Sequence, residues 1–380
     1  MKVIHHSSGG RFSDSPRAVY EALIADGHPS RHVWVADPRH RHGFPAGVDT
    51  VDYGSARCIA ELESADVVVS NTHLEMEWQK APGSVYLQTW HGTPLKHIHF
   101  DSRWAPPGRV AYLTEDVRRW DYLLSPNSVS TRRLRGAFGF TGEIIESGYP
   151  RNDILLSPRR ESIRAEVRRR LGIPDDATVV LYTPTWRDDH LDADGRQDFA
   201  LRLDPEEFSR RLGDDHYLLI RTHFLVTAQL PAMDGPRVRD VSAHPDVSEL
   251  YLAADAMVTD YSSTMFDFAV TGKPLFFYAY DLQDYRDRLR GFYFDLHEHA
   301  PGPVVQGGTE LIEALSDLDA VRRRYAPAYR AFRNRFCHLD DGQASARVIE
   351  RIFTDLPARG PLAGSVGIAA RTGQMLGMAQ

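Results

Sequence analysis

Cysteine is nearly absent from this chain. Only Cys58 and Cys337 occur in 380 residues, too few for a disulfide framework and a poor basis for a cysteine metal site. No run of about 18 apolar residues occurs, so nothing reads as a membrane span. The opening Met1-Lys-Val-Ile-His-His lacks the long apolar stretch of a signal peptide. Positive charge is not in excess either. With 45 Lys and Arg against 52 Asp and Glu, the net charge is -7, which argues against a nucleic-acid binder. The serine-hydrolase elbow, the P-loop and the zinc-protease His pair have no match. These absences leave the expectation of a reducing, cytoplasmic protein.

What is present is a regular alternation of short apolar runs and amphipathic segments, over a length that suits two domains. Strands are expected at 2–4, 32–36, 66–70, 84–90, 121–125 and 143–147 in the first half, with helices at 15–26, 56–63 and 128–137. The second half repeats the style, with strands at 178–183, 216–222, 237–240, 256–259 and 274–278. Its helices are expected at 204–212, 247–253, 263–271 and 282–290. A charged helix at 157–171 joins the halves, and helices at 318–336 and 343–353 close the chain. Strands alternating with helices imply parallel sheets covered on both faces. The expected fold is α/β and GT-B-like, with two Rossmann-like domains and a cleft between them. The N-terminal domain spans 1–155 and the C-terminal domain 156–357. Residues 358–380, rich in Gly and Ala, read as a mobile tail.

Chemistry is suggested where polar side chains follow apolar strands, because ligands of open α/β sheets bind beyond the strands' carboxyl ends. His91 sits at such an end in Gln88-Thr-Trp-His-Gly-Thr-Pro-Leu-Lys96. A second histidine recurs in Arg221-Thr-His223, where residues 221 and 223 share one side of a strand. Two histidines and an arginine in this setting suggest acid/base work on an anionic substrate. Thr259-Asp-Tyr-Ser-Ser263 is a strand, a polar turn and a helix start, a combination suited to phosphate. One of Ser262 and Ser263 suffices for a helix cap, whereas this turn offers four polar groups. In Tyr182-Thr-Pro-Thr-Trp-Arg-Asp188, Arg187 suits a bidentate phosphate clamp and Trp186 a nucleotide wall; a plain turn with a half-buried tryptophan fits the same residues. Arg151, in Gly148-Tyr-Pro-Arg151, lies near the joint between halves and is expected at the cleft. Asp192-Ala-Asp194 matches a metal-binding pattern but reads as a loop, and no metal site is assigned. The arginines between Arg103 and Arg170 either face an anionic surface or are solvated helix faces.

These segments, together with Asp14-Ser-Pro-Arg-Ala-Val-Tyr-Glu-Ala-Leu23, Asp246-Val-Ser-Glu-Leu-Tyr-Leu-Ala-Ala-Asp255, Gly272-Lys-Pro274, Asp284-Tyr285 and Arg290-Gly-Phe-Tyr-Phe-Asp295, occur in order along nearly the whole chain. In this the chain resembles the CDP-glycerol glycerophosphotransferase family of teichoic-acid synthesis. The resemblance implies a GT-B fold and transfer of glycerol phosphate from CDP-glycerol to a hydroxyl of a lipid-linked or glycan acceptor, releasing CMP. It implies that His91 and His223 are catalytic. Thr185, Trp186, Arg187, Arg221, Thr259, Asp260, Ser262, Ser263 and Asp267 are then expected on the donor side, and Gly92, Thr93, Lys96 and Arg151 at the acceptor or cleft. CDP-glycerol is the substrate, and no cofactor is assigned. Peripheral contact with an anionic membrane surface is expected. A related donor (CDP-ribitol or a sugar nucleotide) gives the alternative transferase, and a non-catalytic binder on the same scaffold is the other rival. Phe224, where the family often has proline, is the one departure from its pattern.

Overall fold

The computed structural model describes residues 1–102, 107–185, 187, 201–222 and 235–354. His223, Trp186, the Asp192–Asp194 pattern and the expected tail lie outside these residues.

In the first half, strands β1 (Lys2–His6), β2 (Arg31–Ala36), β3 (Thr50–Asp52), β4 (Val67–Ser70), β5 (Val85–Gln88), β6 (Tyr122–Ser125) and β7 (Glu143–Glu146) form one sheet. Helices α1 (Asp14–Ala25), α2 (Ala56–Glu63), α3 (Pro107–Val117) and α4 (Ser128–Phe138) connect them, and α5 (Asp153–Leu156) and α6 (Arg160–Leu171) lead onward. The second half holds β8 (Thr178–Thr183), α7 (Pro205–Leu212), β9 (His216–Ile220), β10 (Val238–Asp240), α8 (Val247–Ala253), β11 (Ala256–Thr259) and α9 (Thr264–Ala269). It continues through β12 (Leu275–Tyr278), α10 (Leu282–Asp284), α11 (Leu296–His299), β13 (Val304–Val305), α12 (Gly308–Leu315), α13 (Leu318–Phe336) and α14 (Ala344–Phe353).

The sheets run β3-β2-β1-β4-β5-β6-β7 and β10-β9-β8-β11-β12-β13, and every pairing within them is parallel. Both are doubly wound in the same sense: the chain starts centrally, winds to one edge, then returns and winds to the other. This leaves one switch point between β1 and β4 and another between β8 and β11, where crevices open at strand ends. The central strands are apolar throughout, as Val67-Val-Val in β4 and Ala256-Met-Val in β11 are, because helices cover both faces. Caps set the helix limits. The Asn127 side chain accepts from Ser130 N at the start of α4, and Gly139 ends that helix at φ 59°.

The structure adds elements to the sequence expectation. β3, β13, α3, α5, α11 and α12 were not foreseen, and the stretch expected as one helix at 282–290 is short α10 followed by a π-helical turn, Tyr285–Leu289. The expected division also places both closing helices with the second domain. Only α13 packs there, through Phe332 and Phe336. Val348, Ile352 and Phe353 of α14 instead join Val3, Val19, Leu23 and Val67 in the core of the first sheet. The chain therefore crosses back, and the two halves share a covalent seam at each end of the second sheet's segment.

Candidate active site

The turn after β5 is built to present His91. Gln88, fully buried, braces it with both ends of its amide: Oε1 accepts from Trp90 N at 2.9 Å, and Nε2 donates to Thr72 O at 3.0 Å. Trp90 takes a left-handed backbone conformation, φ 55°, unusual for a bulky side chain and held by this bracing. His91 follows, with Nδ1 2.7 Å from the carbonyl oxygen of Asn71 at the end of β4. A carbonyl only accepts, so Nδ1 carries the proton and Nε2 keeps its lone pair. The histidine opens toward the cleft, but protein crowds it on its other sides. Burial lowers its pKa from the usual imidazole value; the Asn71 hydrogen bond and Asp14 act in the opposite direction, and Arg151 reinforces the lowering.

The opposite wall is the switch point of the second sheet. Asp260, after β11, ties this wall together. Its carboxylate accepts from Thr185 N at 3.0 Å, Thr185 Oγ1 at 2.5 Å and Tyr261 N at 2.6 Å. Thr259 Oγ1 donates to Thr183 O at 2.9 Å. Arg187 differs from the expectation of an open phosphate clamp: its fork is filled. Nε and Nη2 bind Asp281 at 2.7 and 2.9 Å, and Nη1 reaches Asp260 at 3.0 Å. The rings of Tyr261, Tyr280 and Tyr285 surround its guanidinium. Burial opposes this charge, but the two carboxylates more than offset it and its pKa stands raised. Arg187 and Asp260 thus shape the wall, and Ser262, Ser263 and Thr264 line the cavity, with Ser262 Oγ accepting from Thr264 N at 3.3 Å. Ser263 precedes α9 without capping it.

The two walls meet closely. A Cβ on Gly92 would lie 2.4 Å from Oγ and 2.8 Å from Cβ of Ser263, so only glycine admits this approach. Backbone bonds stitch the next residues across, from Tyr293 N to Leu95 O at 2.8 Å and from His97 N to Gly291 O at 3.1 Å. The cavity between has a volume of about 400 Å³, within the range of ligand pockets. His91, Gly92, Thr93 and Lys96 line it on one side, and Thr185, Arg221, Ser262 and Ser263 on the other. A wider groove of about 1040 Å³ lies elsewhere between the halves, lined by helices and connecting segments rather than strand ends.

Arg221 follows β9, and its Nη1 donates to Val241 O at 3.1 Å and His244 O at 2.7 Å. Among the described residues no carboxylate forms an ion pair with it. Burial lowers its pKa to about 10, and Arg11, from the first half, adds to the lowering. A half-buried guanidinium lining a cavity with only carbonyl partners is suited to an anion.

Arg151 and Asp267 sit behind the cavity rather than in it. Arg151 Nη2 binds Asp267 at 3.0 and 3.1 Å, Nε adds 3.2 Å, and Nη1 reaches Asp14 of α1 at 3.3 Å. Asn152 Nδ2 bridges Asp267 at 3.1 Å and Asp340 at 2.9 Å. Burial raises the pKa of Asp267, and raises that of Asp340 to about 7. This network locks α1, α9 and the segment after α13 beneath the site. Sequence reasoning missed Asn71, Thr183, Thr222, Thr264 and Arg290 in or beside the cavity, along with Asp340. Asn71, Thr183 and Thr222 carried the same signal as His91, a polar residue at the end of an apolar strand, and Arg290 lies in a motif segment; Asp340 carried none. The arginines between residues 107 and 170 are largely engaged: Arg118 with Glu115, Arg119 with Asp116, Arg164 and Arg168 with Asp255, Arg169 with Glu166.

Comparison with known proteins agrees with this architecture. Over 354 residues the chain is 41% identical to a teichoic acid glycerol-phosphate transferase of Staphylococcus aureus (strain NCTC 8325 / PS 47), covering 91% of this chain and 90% of that one. It is 37% identical to a teichoic acid poly(glycerol phosphate) polymerase of Bacillus subtilis (strain 168), covering 92% of this chain but about half, 48%, of that protein. The solved structure of the wall teichoic acid polymerase TagF superposes with a TM-score of 0.86 at 36% identity, over 94% of this chain and 89% of that one. Ribitol-phosphate polymerases are more distant, at 28% to 30% identity. The family model for CDP-glycerol:poly(glycerophosphate) glycerophosphotransferases matches residues 2–354. With two doubly wound sheets, a cleft at their strand ends and this match along its length, the chain belongs to the CDP-glycerol:poly(glycerophosphate) glycerophosphotransferase family.

Proposed function

We propose that this chain moves glycerol phosphate from CDP-glycerol to an acceptor hydroxyl, with His91 as general base. The carrying observation is His91 itself: Nδ1 is fixed on the Asn71 carbonyl, so Nε2 faces the cavity as an acceptor opposite Arg221, Ser262 and Ser263. Nε2 takes the proton of the acceptor hydroxyl as its oxygen attacks the β-phosphorus. A new P–O bond forms, the bond to the CMP oxygen breaks, and CMP leaves with the electron pair. Arg221 and the hydroxyls of Ser262 and Ser263 stabilise the charge on the pyrophosphate. His223, two residues beyond Arg221, is assigned to the departing CMP through the family motif. Positioning and charge stabilisation dominate such transfers. Thr185, Thr259 and Asp260 shape the donor wall, and Gly92, Thr93 and Lys96 form the acceptor side.

The acceptor is a lipid-linked or glycan-borne hydroxyl in teichoic-acid or capsule-type synthesis. No described helix is long and apolar enough to cross a membrane. In this reading the chain meets such an acceptor at the cytoplasmic face, by peripheral contact with anionic lipid. The test is CMP release from CDP-glycerol with and without a lipid-linked acceptor. Acceptor-dependent release is expected; release from CDP-ribitol but not CDP-glycerol would overturn the donor assignment. Vesicle binding that ignores salt and anionic lipid would overturn the membrane contact.

A further inference from the structure

Beside the cavity lies a second group of cations that donor binding leaves unused. Arg133 of α4 donates from Nη1 to Pro94 O at 3.0 Å, and Pro94 lines the cavity. Its guanidinium carbon stands 5.3 Å from the ring centre of Tyr293, 5.2 Å from Phe294 and 6.0 Å from Phe336, the last on α13. One arginine of the first half is thus wedged against three rings of the second. Burial, with the charges of Arg335 and Arg132 beside it, lowers its pKa to about 10, against a smaller opposing effect of Tyr293.

The fully buried arginines follow a different rule, while Arg221, half-buried at the cavity itself, also lacks an acid among the described residues. Arg151 meets Asp267, Arg168 meets Asp255, and Arg187 meets Asp260 and Asp281. Among the described residues no carboxylate pairs with Arg132, Arg133 or Arg335. Arg335 instead meets Nε2 of His299 at 3.0 Å and lies over the ring of Phe336 at 5.2 Å. A half-buried guanidinium with two like charges beside it is costly, and stacking on rings offsets only part of the cost. An oxyanion offsets the rest, and guanidinium forks match phosphate geometry.

We propose that Arg132, Arg133 and Arg335 form a subsite for a phosphate-ester anion of the acceptor, where the Gly92–Lys96 loop meets α13. This rests on the transferase reading and extends it: the acceptor is recognised by a phosphate it already carries as well as by its reacting hydroxyl. That anion belongs to the polyol-phosphate chain or diphosphate the acceptor carries; a bilayer headgroup is the competing source, and the test separates the two.

Arg132 and Arg335 are exposed, so the double change Arg132→Gln with Arg335→Gln leaves the core intact. Arg133→Lys is the conservative companion, keeping charge but losing the fork. The first measurement is calorimetric binding of a soluble glycerol-phosphate oligomer to the full chain, without donor or membrane. The double variant is expected to weaken this binding about tenfold or more, the loss of one or two charged hydrogen bonds. The KM for CDP-glycerol should hold within about twofold, and the KM for an uncharged alcohol acceptor should not move. Unchanged oligomer affinity, or an equal loss for donor and oligomer, overturns the subsite. So does a loss confined to binding of anionic vesicles, which would assign the arginines to the bilayer. Because oligomer binding is read without donor, retained binding with no CMP release from CDP-glycerol counts against the donor reading alone.

Discussion

At the scale of single residues, His91 carries the clearest expectation. Its Nδ1 proton is committed to Asn71, so the reactive nitrogen is defined before any substrate arrives. His91→Ala should lower kcat by roughly 10²–10⁴ with an unchanged far-UV circular dichroism spectrum. Near-full activity in that variant would remove it as the base. The pH profile follows from the direction of the shift. A base must be neutral, and burial lowers this imidazole's pKa. The acid limb of kcat/KM should therefore have its midpoint below the ordinary histidine value of about 6.5. A midpoint above neutrality would require a different group. Arg187 shows the other side of residue-level reading. Its position after a strand suggested a ligand, but its partner Asp260 lies 73 residues away, and no local pattern signals that pairing.

At the scale of elements, the loop after β5 and the turn after β11 work as one unit because Gly92 lets Ser263 approach. Gly92→Ala places a methyl carbon inside Ser263 and must push the two walls apart. We expect a fall in kcat/KM of about tenfold or more, as misplacement of about 1 Å can cost 10²-fold, while the melting temperature changes little. Equal activity would mean that the walls have slack. The segment from Arg151 to Asn152 is the corresponding structural joint. Arg151→Ala leaves Asp267 buried without its cation, a loss of about 3–5 kcal/mol, read as a lower denaturant midpoint. A change within error would show that water replaces the guanidinium there. The strong elements were legible in the sequence: the limits of α13 and β8 agree with expectation because apolar periodicity there is long and well bounded. β13 was not, since two edge residues, Val304 and Val305, carry no periodicity at all.

At the scale of the molecule, α14 and Asp340 connect the halves. α14 returns from the second sheet to the first, so Ile352→Ala should cost about 2–5 kcal/mol and should unfold the first half earlier in limited proteolysis. Early cleavage of the second half instead would contradict that packing. Asp340 titrates with folding. Burial raises its folded pKa to about 7, above the unfolded value of about 3.9. The native state therefore keeps a proton that the unfolded chain has lost. The stability this gives is complete below about pH 4 and is lost as pH rises through 7. Asp340→Asn should flatten that part of the melting-temperature profile, and parallel profiles would sink the assignment.

The sequence alone determined the alternation of strands and helices, hence two parallel sheets, and it located His91, Arg221, Ser262 and Ser263 at strand ends. Those features are written locally, in periodicity of two or about 3.6 residues and in polar turns after apolar runs. Only the tertiary structure decided which arginines are filled and which lack an acid. It also decided that Gly92 must be glycine, and that the last helix belongs to the first core. These depend on groups brought together from distant parts of the chain. Their burial and pairing energies exist only once both sheets are packed.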